Sequence, residues 1–381
     1  MLKPKEIYDY MKKEGIEFFV GVPDSTLKDF CAYVTENTKE DKNIIAANEG
    51  NAVAIAAGYY LASSKIPLVY MQNSGLGNAI NPLVSLADKQ VYSIPMILLI
   101  GWRGEPGAKD EPQHIKQGRI TTELLEILDI KYEILSDEIN EAKSQMKKAK
   151  IEAEKESAPF ALIVRKGTFE TYMPKNEKGS DYSLRREEAL EFILNNLSSN
   201  EIIVSTTGKT SREIYEIREK NKEPHEKDFL VVGSMGHTSS IALGINLALK
   251  NRKVICIDGD GSFIMHMGSI AIIASHSKKN FKYIIINNGS HESVGAQPTV
   301  GFDIDILGVA KAVGFQKMYR AENREELEKY FKDFIESDDN ALLEIRVKTG
   351  ARADLGRPRE TPIENKKLFM TYIKTTEKED E

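Results

Sequence analysis

Residues 253–261 read KVICIDGDG. Within the candidate strand Lys253–Ile257, apolar residues follow one another without alternation, the pattern of a strand buried on both faces. Asp258-Gly259-Asp260-Gly261 ends that strand, and a helix is predicted from near Ser262. Glycines at such a junction let the backbone approach a ligand closely, and a helix start offers free N–H groups to an anion. Asp260, between two glycines, is a hard oxygen ligand aimed at the same place, as a Mg²⁺–phosphate site requires. A second strand, Lys282–Ile286, runs into Asn287-Asn288-Gly289-Ser290, whose amide and turn oxygens are the other usual donors for such a cation. Taken singly, each segment also reads as an ordinary strand-end turn, because Asp, Asn and Gly are turn residues.

Outward from this stretch, short apolar β-branched runs alternate with amphipathic, charge-decorated stretches along almost the whole chain. Candidate strands in the first half are Phe18–Val22, Asn43–Ala46, Leu68–Gln72, Met96–Ile100, Lys131–Leu135 and Phe160–Arg165. Those in the second half are Glu201–Ser205, Phe229–Val232, Lys253–Ile257, Lys282–Ile286, Phe315–Tyr319 and Leu342–Val347. The helical patterns between them supply crossovers, so the expected class is α/β, with two doubly wound, mostly parallel-sheet domains. The break falls in Met173–Ser183 (MPKNEKGSDYS), which is polar, contains Pro and Gly and lacks periodicity. It gives domains at 1–174 and 184–381, and Leu184–Leu197 opens the second with a new helix. The halves repeat one architecture without an internal sequence repeat. Open parallel sheets bind ligands outside the carboxyl ends of their strands. The tail Thr375–Glu381 (TTEKEDE) reads as frayed and solvated.

The chain has 381 residues, 41% of them hydrophobic and 29% charged, with a net charge of −6. That length suffices for two real cores. An acidic balance offers no overall attraction to phosphate backbones, so no nucleic-acid partner is expected. The longest nearly apolar runs, Ala52–Ala62 and Ile94–Gly101, fall short of the ~20 residues that a membrane span needs. Met1–Tyr10 carries charges and no apolar leader. Cys31 and Cys256 make neither a disulfide framework nor a four-thiolate zinc site, and the six histidines show no metal-ligand spacing. The expectation is a cytoplasmic protein with a small-molecule substrate and no membrane partner.

Three further segments carry chemistry. Ala46–Ala52 (AANEGNA) places one carboxylate, Glu49, between a buried strand and the apolar helix Ala52–Leu61. There it either caps the helix or has a raised pKa and a catalytic use. Thr206–Thr210 (TTGKT) looks like a P-loop, but the first glycine of that motif would sit at Ile203, so the pattern fails. Ser74–Ile80 (SGLGNAI) gives G-x-G, yet Ile80 stands where a third small residue belongs. No acidic residue follows at the ~20-residue spacing of a dinucleotide fold. Gly75 and Gly77 still open a helix whose start suits an anion.

Gly259-Asp260-Gly261, the 25 residues 262–286 and then Asn287-Asn288 resemble the diphosphate and metal motif of thiamine diphosphate (ThDP) enzymes. The resemblance implies the ThDP-binding fold, with a pyrimidine-binding domain first and a diphosphate-binding domain second. It implies ThDP and Mg²⁺ as cofactors, with Asp260, Asn288 and the main-chain carbonyl of Ser290 as metal ligands. By the same resemblance Glu49 hydrogen-bonds the aminopyrimidine ring, and Met235 in Gly233–His237 (GSMGH) wedges the cofactor into a bent shape. Thr207, Gly208, Gly233, Gly259 and Gly261 then line the cofactor.

Other stretches resemble the phosphonopyruvate decarboxylase branch of the ThDP-dependent 2-oxo acid decarboxylases. They are Gly21–Ser25 (GVPDS), Met71–Asn78 (MQNSGLGN), Trp102–Gly107 (WRGEPG), Asp110–His114 (DEPQH), Asn288–Gly295 (NGSHESVG) and Asp354–Pro358 (DLGRP). The implied activity is a carboxy-lyase of phosphonate biosynthesis, converting 3-phosphonopyruvate to phosphonoacetaldehyde and CO₂. Asp24, His291 and Glu292 join Glu49 as candidate catalytic residues. The phosphonate needs N–H groups or cations, and a bidentate guanidinium suits it. Candidates to hold it are Asn73, Ser74, Arg103, Lys109, His114, Arg352 and Arg357. Because Glu49 and Asp260 lie on different domains, the resemblance implies a homodimer or higher homo-oligomer with the active site at the subunit interface. The alternatives are sulfopyruvate, or another acidic 2-oxo acid, as substrate. A non-catalytic nucleotide-binding regulatory module predicts loss of Glu49 or of the Asp260/Asn288 pair, and all three are present.

Overall fold

The computed structural model describes residues 1–175, 180–198 and 200–379. The chain divides into two compact units, Met1–Glu177 with Ser293–Gln297 and Lys178–Glu292 with Pro298–Glu381. Residues 176–179 of the segment read as a linker lie outside the described residues.

In the first unit, six parallel strands form one sheet. They are β1 (Phe19–Gly21), β2 (Asn43–Ile45), β3 (Leu68–Gln72), β4 (Ile97–Gly101), β5 (Lys131–Ile134) and β6 (Phe160–Val164), in the order β2-β1-β3-β4-β6-β5. The central strands β4 and β6 are buried at every residue, whereas the edge strand β5 is partly exposed. Alternate residues serve two cores: Leu68, Tyr70, Ile97 and Leu99 face one, Val69, Met71, Leu98 and Ile100 the other. Helices cover both faces, which is why the strands read as continuous apolar runs.

The second unit contains β7 (Ile202–Ser205), β8 (Asp228–Leu230), β9 (Val254–Gly259) and β10 (Phe281–Asn287). A short separate ribbon follows, β11 (Ser290–His291) with β12 (Gln297–Pro298), and then β13 (Lys317–Ala321) and β14 (Ala341–Arg346). The second unit's main sheet has the order β8-β7-β9-β10-β14-β13, again all parallel. Strand for strand, this is the order of the first sheet. In each, the first strand sends one crossover to its left and the next to its right. The topological switch therefore lies between β1 and β3, and between β7 and β9.

The expected strands all form, most ending within a residue or two of their predicted limits. The two-stranded ribbon was not expected, and Phe315–Tyr319 is shifted to Lys317–Ala321. The frayed tail is corrected: the helix Pro362–Glu379 runs through it, and only residues 380 and 381 lie outside the description. Phe369 on that helix is buried against the second core and anchors it. Among the described residues, no helix is long and apolar enough to cross a membrane.

Candidate active site

At the carboxyl edge of the second sheet, the turns after β7, β8, β9 and β10 are stapled to one another. The Ser262 hydroxyl accepts from the main-chain N–H of Gly236 (3.0 Å) and from the Thr206 hydroxyl (3.3 Å). The Thr207 hydroxyl accepts from the N–H of Gly233 (3.0 Å). Met235 and His291 both approach Gly261, where a Cβ would meet the His291 ring at 2.8 Å and Met235 Cε at 3.3 Å. A side chain at Gly261 would have to push the His291 ring aside, so glycine suits the close approach of these three turns.

Strand β9 ends at Gly259 and delivers Asp260 as the first residue of the short helix Asp260–Met265. Asp260 is 2% exposed. Its carboxylate accepts from the Thr299 hydroxyl and from the main-chain N–H of Asn288. Burial pushes its pKa up to about 6, against the pull of those hydrogen bonds. From β10, the side chain of Asn287 turns inward to Gly301 O (2.6 Å) and Glu344 (2.9 Å). That of Asn288 folds over its own turn: Oδ1 accepts from Ser290 N (3.1 Å) and Nδ2 donates to Glu292 (3.0 Å). The Ser290 hydroxyl is buried and has no hydrogen-bond partner among the described residues.

No group of three or more His, Cys, Asp or Glu side chains able to hold a metal occurs among the described residues. The available set is one carboxylate (Asp260), one amide oxygen (Asn288) and the Ser290 oxygens. All are hard donors and too few to enclose a cation, which suits Mg²⁺ that also binds phosphate oxygens. His291 is half-buried, and desolvation of its ring pushes its pKa down to about 4, so the ring is neutral at pH 7. Glu292 is engaged on both oxygens. Burial alone would raise its pKa, but Arg186 and Lys209 outweigh that and hold it below the usual value.

At the carboxyl edge of the first sheet, β1 leads to Asp24, which is fully buried. Its Oδ2 accepts from the N–H groups of Thr26 (2.8 Å) and Leu27 (3.1 Å), while Oδ1 has no partner among the described residues. Burial lifts its pKa to about 6, with the Thr26 N–H and the Arg103 charge opposing. After β2, Asn48 caps the helix Glu49–Ser63 by accepting from Asn51 N (2.9 Å). Capping thus belongs to Asn48, and Glu49 is left for another use. Glu49 is 5% exposed, and its Oε2 accepts from Asn78 Nδ2 (2.8 Å). It lies on Gly75, where any Cβ would collide with the carboxylate.

Asn73, after β3, is fully engaged: Oδ1 accepts from Arg103 N (3.1 Å), and Nδ2 donates to Arg103 O (2.8 Å) and Thr121 Oγ1 (2.9 Å). It ties the end of β3 to that of β4. The Ser74 hydroxyl accepts from Gln72 (2.6 Å). Arg103 grips Asp110 through Nε (2.8 Å) and Nη2 (2.5 Å) and donates Nη1 to Ser25 (2.7 Å). His114 has a buried Nδ1 without a partner among the described residues, and burial with the Arg103 charge lowers its pKa.

Three candidate cations do not join either cluster. Lys109 and Arg357 are exposed. Arg352 is exposed and spends its donors on Glu187, Glu216 and Asp354, so it is a surface tie between helices. The structure adds residues that spacing did not reveal: Asn78 on Glu49, Thr299 on Asp260, and Arg186 with Lys209 on Glu292. Asn78 lies in the distinctive MQNSGLGN stretch. The others are distant in sequence; Lys209 lies in the TTGKT stretch whose P-loop reading fails, and no local pattern marks Thr299 or Arg186.

Two family models match, "Thiamine pyrophosphate enzyme, N-terminal TPP binding domain" over residues 5–125 and "Thiamine pyrophosphate enzyme, C-terminal TPP binding domain" over residues 206–345. The chain is 31% identical over 382 residues to a phosphonopyruvate decarboxylase of Streptomyces viridochromogenes, covering 95% of this chain and 92% of that one. It is 31% identical over 374 residues to a sulfopyruvate decarboxylase of Methanosarcina acetivorans, covering 92% of each. It is also 38% identical over 165 residues to the sulfopyruvate decarboxylase subunit beta of Methanocaldococcus jannaschii, covering 43% of this chain and 80% of that subunit. The chain belongs to the family of thiamine diphosphate-dependent decarboxylases, carboxy-lyases of the phosphonopyruvate and sulfopyruvate type.

Proposed function

We propose that the chain catalyses the ThDP- and Mg²⁺-dependent, non-oxidative decarboxylation of 3-phosphonopyruvate to phosphonoacetaldehyde and CO₂, a reaction of phosphonate biosynthesis. What carries this reading is the pairing of a near full-length phosphonopyruvate decarboxylase relative with Glu49 and Asp260/Asn288 at matching sheet edges. Residues 1–174 then form the pyrimidine-binding domain and residues 184–381 the diphosphate-binding domain. When bound, the ThDP thiazolium supplies the electron sink that a departing carboxylate needs.

The chain's own residues do the rest. Asp260, the Asn288 amide oxygen and the Ser290 carbonyl would hold Mg²⁺. Thr207, Gly208, Gly233, Gly259 and Gly261 would admit the diphosphate close to the backbone, and Met235 would pack against the cofactor. Glu49 would hydrogen-bond the aminopyrimidine ring when ThDP is bound, the contact an acid–base role there requires. Asp24, with its pKa near 6 and a buried oxygen lacking a partner among the described residues, can keep a proton close to neutral pH and release it. His114, whose Nδ1 is buried without a partner among the described residues and which also feels the Arg103 charge, is a second candidate for that task. Neutral His291 shapes the pocket wall, and Glu292, already engaged on both oxygens, is not a proton carrier. Arg103, on the same edge as Asp24 and Asn73, is the cation placed to meet the substrate's anionic group.

One observation favours sulfopyruvate instead. Arg103 already shares its charge with Asp110, leaving less net positive charge than a phosphonate dianion prefers and enough for a sulfonate monoanion. The deciding experiment is phosphorus NMR with ThDP, Mg²⁺ and phosphonopyruvate, alongside CO₂ release from sulfopyruvate and pyruvate. Conversion of phosphonopyruvate with little turnover of the others is expected. Turnover of sulfopyruvate alone moves the specificity to that acid.

The assembly is proposed as a homodimer or larger, each site formed by the Glu49 edge of one chain and the Asp260 edge of another. Uncharged helix faces support this: Leu61 is 66% exposed on the first unit and Ile272 56% exposed on the second.

A further inference from the structure

Beneath Asn288 lies a group of charges that the contacts proposed above leave unused. Arg186, opening the helix Arg186–Asn195, donates Nη1 to Glu292 Oε2 at 2.6 Å. Its Nε and Nη2 reach the two oxygens of Glu213 at 2.6 and 2.8 Å. Lys209, the first residue of the helix Lys209–Asn221, donates Nζ to Glu292 Oε1 at 3.0 Å, and Gly350 N reaches that oxygen at 3.1 Å. Asn288 Nδ2 is the fourth donor, on Oε2 at 3.0 Å. Arg186 and Glu213 are both buried.

A carboxylate oxygen can only accept, so the Asn288 amide can meet Glu292 only through its nitrogen. Turning the amide over would set oxygen against oxygen. It would also discard the hydrogen bond from Ser290 N to Oδ1. A free asparagine chooses between these two orientations at little cost; this one has no choice. A buried ion cluster adds little net stability compared with apolar packing, so its value here is geometric.

We propose that Glu292, clamped by Arg186 and Lys209, is a positioning residue that fixes the orientation of the Asn288 amide and so presents its oxygen, not its nitrogen, to the divalent cation. This rests on the assignment of Asp260 and Asn288 as metal ligands and deepens it. Outer partners of metal ligands typically govern affinity by about 10–100-fold.

The test is a Mn²⁺ titration followed by electron paramagnetic resonance, with saturating ThDP, on the full chain and its variants. Glu292→Gln should weaken Mn²⁺ binding by about tenfold or more. The Asn288→Asp background should reverse the sign: an aspartate needs no orienting and is repelled by Glu292, so adding Glu292→Gln there should tighten binding. A merely structural role would weaken binding in both backgrounds, and that result overturns the proposal, as does unchanged affinity of Glu292→Gln. Should Glu292→Gln not fold, Lys209→Met, which removes one exposed-side donor, takes its place with a loss of a few-fold expected and no loss overturning the proposal. Asp260→Ala separates the two ideas. If it binds Mn²⁺ like the unaltered chain, the metal assignment falls and the proposal with it. If it alone abolishes binding, only the positioning role falls.

Discussion

The two units fold the same way and end their strands differently. Both sheets follow one strand order, with the switch between their first and third strands. At the second unit's edge, three turns are joined by Thr206, Thr207 and Ser262 hydroxyls, and the fourth is tied in through the Asn288 N–H on Asp260, beside the amide oxygen of Asn288. At the first unit's edge, two separate carboxylates, Asp24 and Glu49, sit buried with few partners, beside a guanidinium already paired to Asp110. One edge suits a fixed anchor for cation and diphosphate; the other suits groups that hold and pass protons. Shared topology sets where a site forms, and the turn residues set what it does.

The largest expected effects break this division directly. Asp260→Ala should abolish Mg²⁺-dependent ThDP binding, measured by quenching of intrinsic fluorescence on cofactor titration. Glu49→Gln should leave ThDP bound and lower kcat by about 10²–10⁴-fold, the range for loss of a positioned acid–base group. If both variants lose cofactor equally, or Glu49→Gln keeps full turnover, the two edges do not divide the work as proposed.

How much of this was legible in the sequence follows from the same contrast. Strands buried on both faces write themselves as apolar runs, so β3, β4, β6 and β10 could be placed from sequence nearly to the residue. The second edge was legible too, because Gly259–Gly261 and Asn287-Asn288 stand at strand ends. Hydrogen-bond partners were not. Thr299, just after β12, and Arg186, on the helix that precedes β7, reach Asp260 and Glu292 from far along the chain, and sequence distance hides them. Arg352 looked like a substrate cation because a sequence does not show that Glu187, Glu216 and Asp354 already surround it. The helix cap was readable in principle: Asn is a preferred cap, and Asn48 precedes Glu49.

A mixing experiment sharpens the comparison by asking whether the two edges meet within a chain or between chains. For the dimer proposed above, Glu49→Gln and Asp260→Ala should each be inactive or nearly so on their own. After subunit exchange, a site shared between chains leaves every mixed dimer with one intact site. Activity should then return to about a quarter of the unaltered enzyme for random pairing in a twofold dimer. Sites contained within single chains would give no recovery, because each mutant chain carries its own defect. Steady-state CO₂ release on the exchanged mixture reads the difference.

The smallest expected effect lies within the first edge and concerns stability. Asp24 has a folded pKa of about 6 against an ordinary 3.8, raised chiefly by burial. Its native form therefore holds a proton more tightly than the unfolded chain does. The sign follows: this residue costs nothing below pH 4, and its cost grows as pH rises from about 4 to 6 and then levels off. Asp24→Asn, which keeps an oxygen for the Thr26 and Leu27 N–H groups but cannot ionise, should unfold like the unaltered chain at pH 4. At pH 7 it should be more stable by about 1–3 kcal/mol, since two pKa units correspond to nearly 3 kcal/mol. Denaturant melts at the two pH values measure the difference. A gain of equal size at both would mean that Asp24 is not a strained ionised group, and the first edge would lose its proton-handling character.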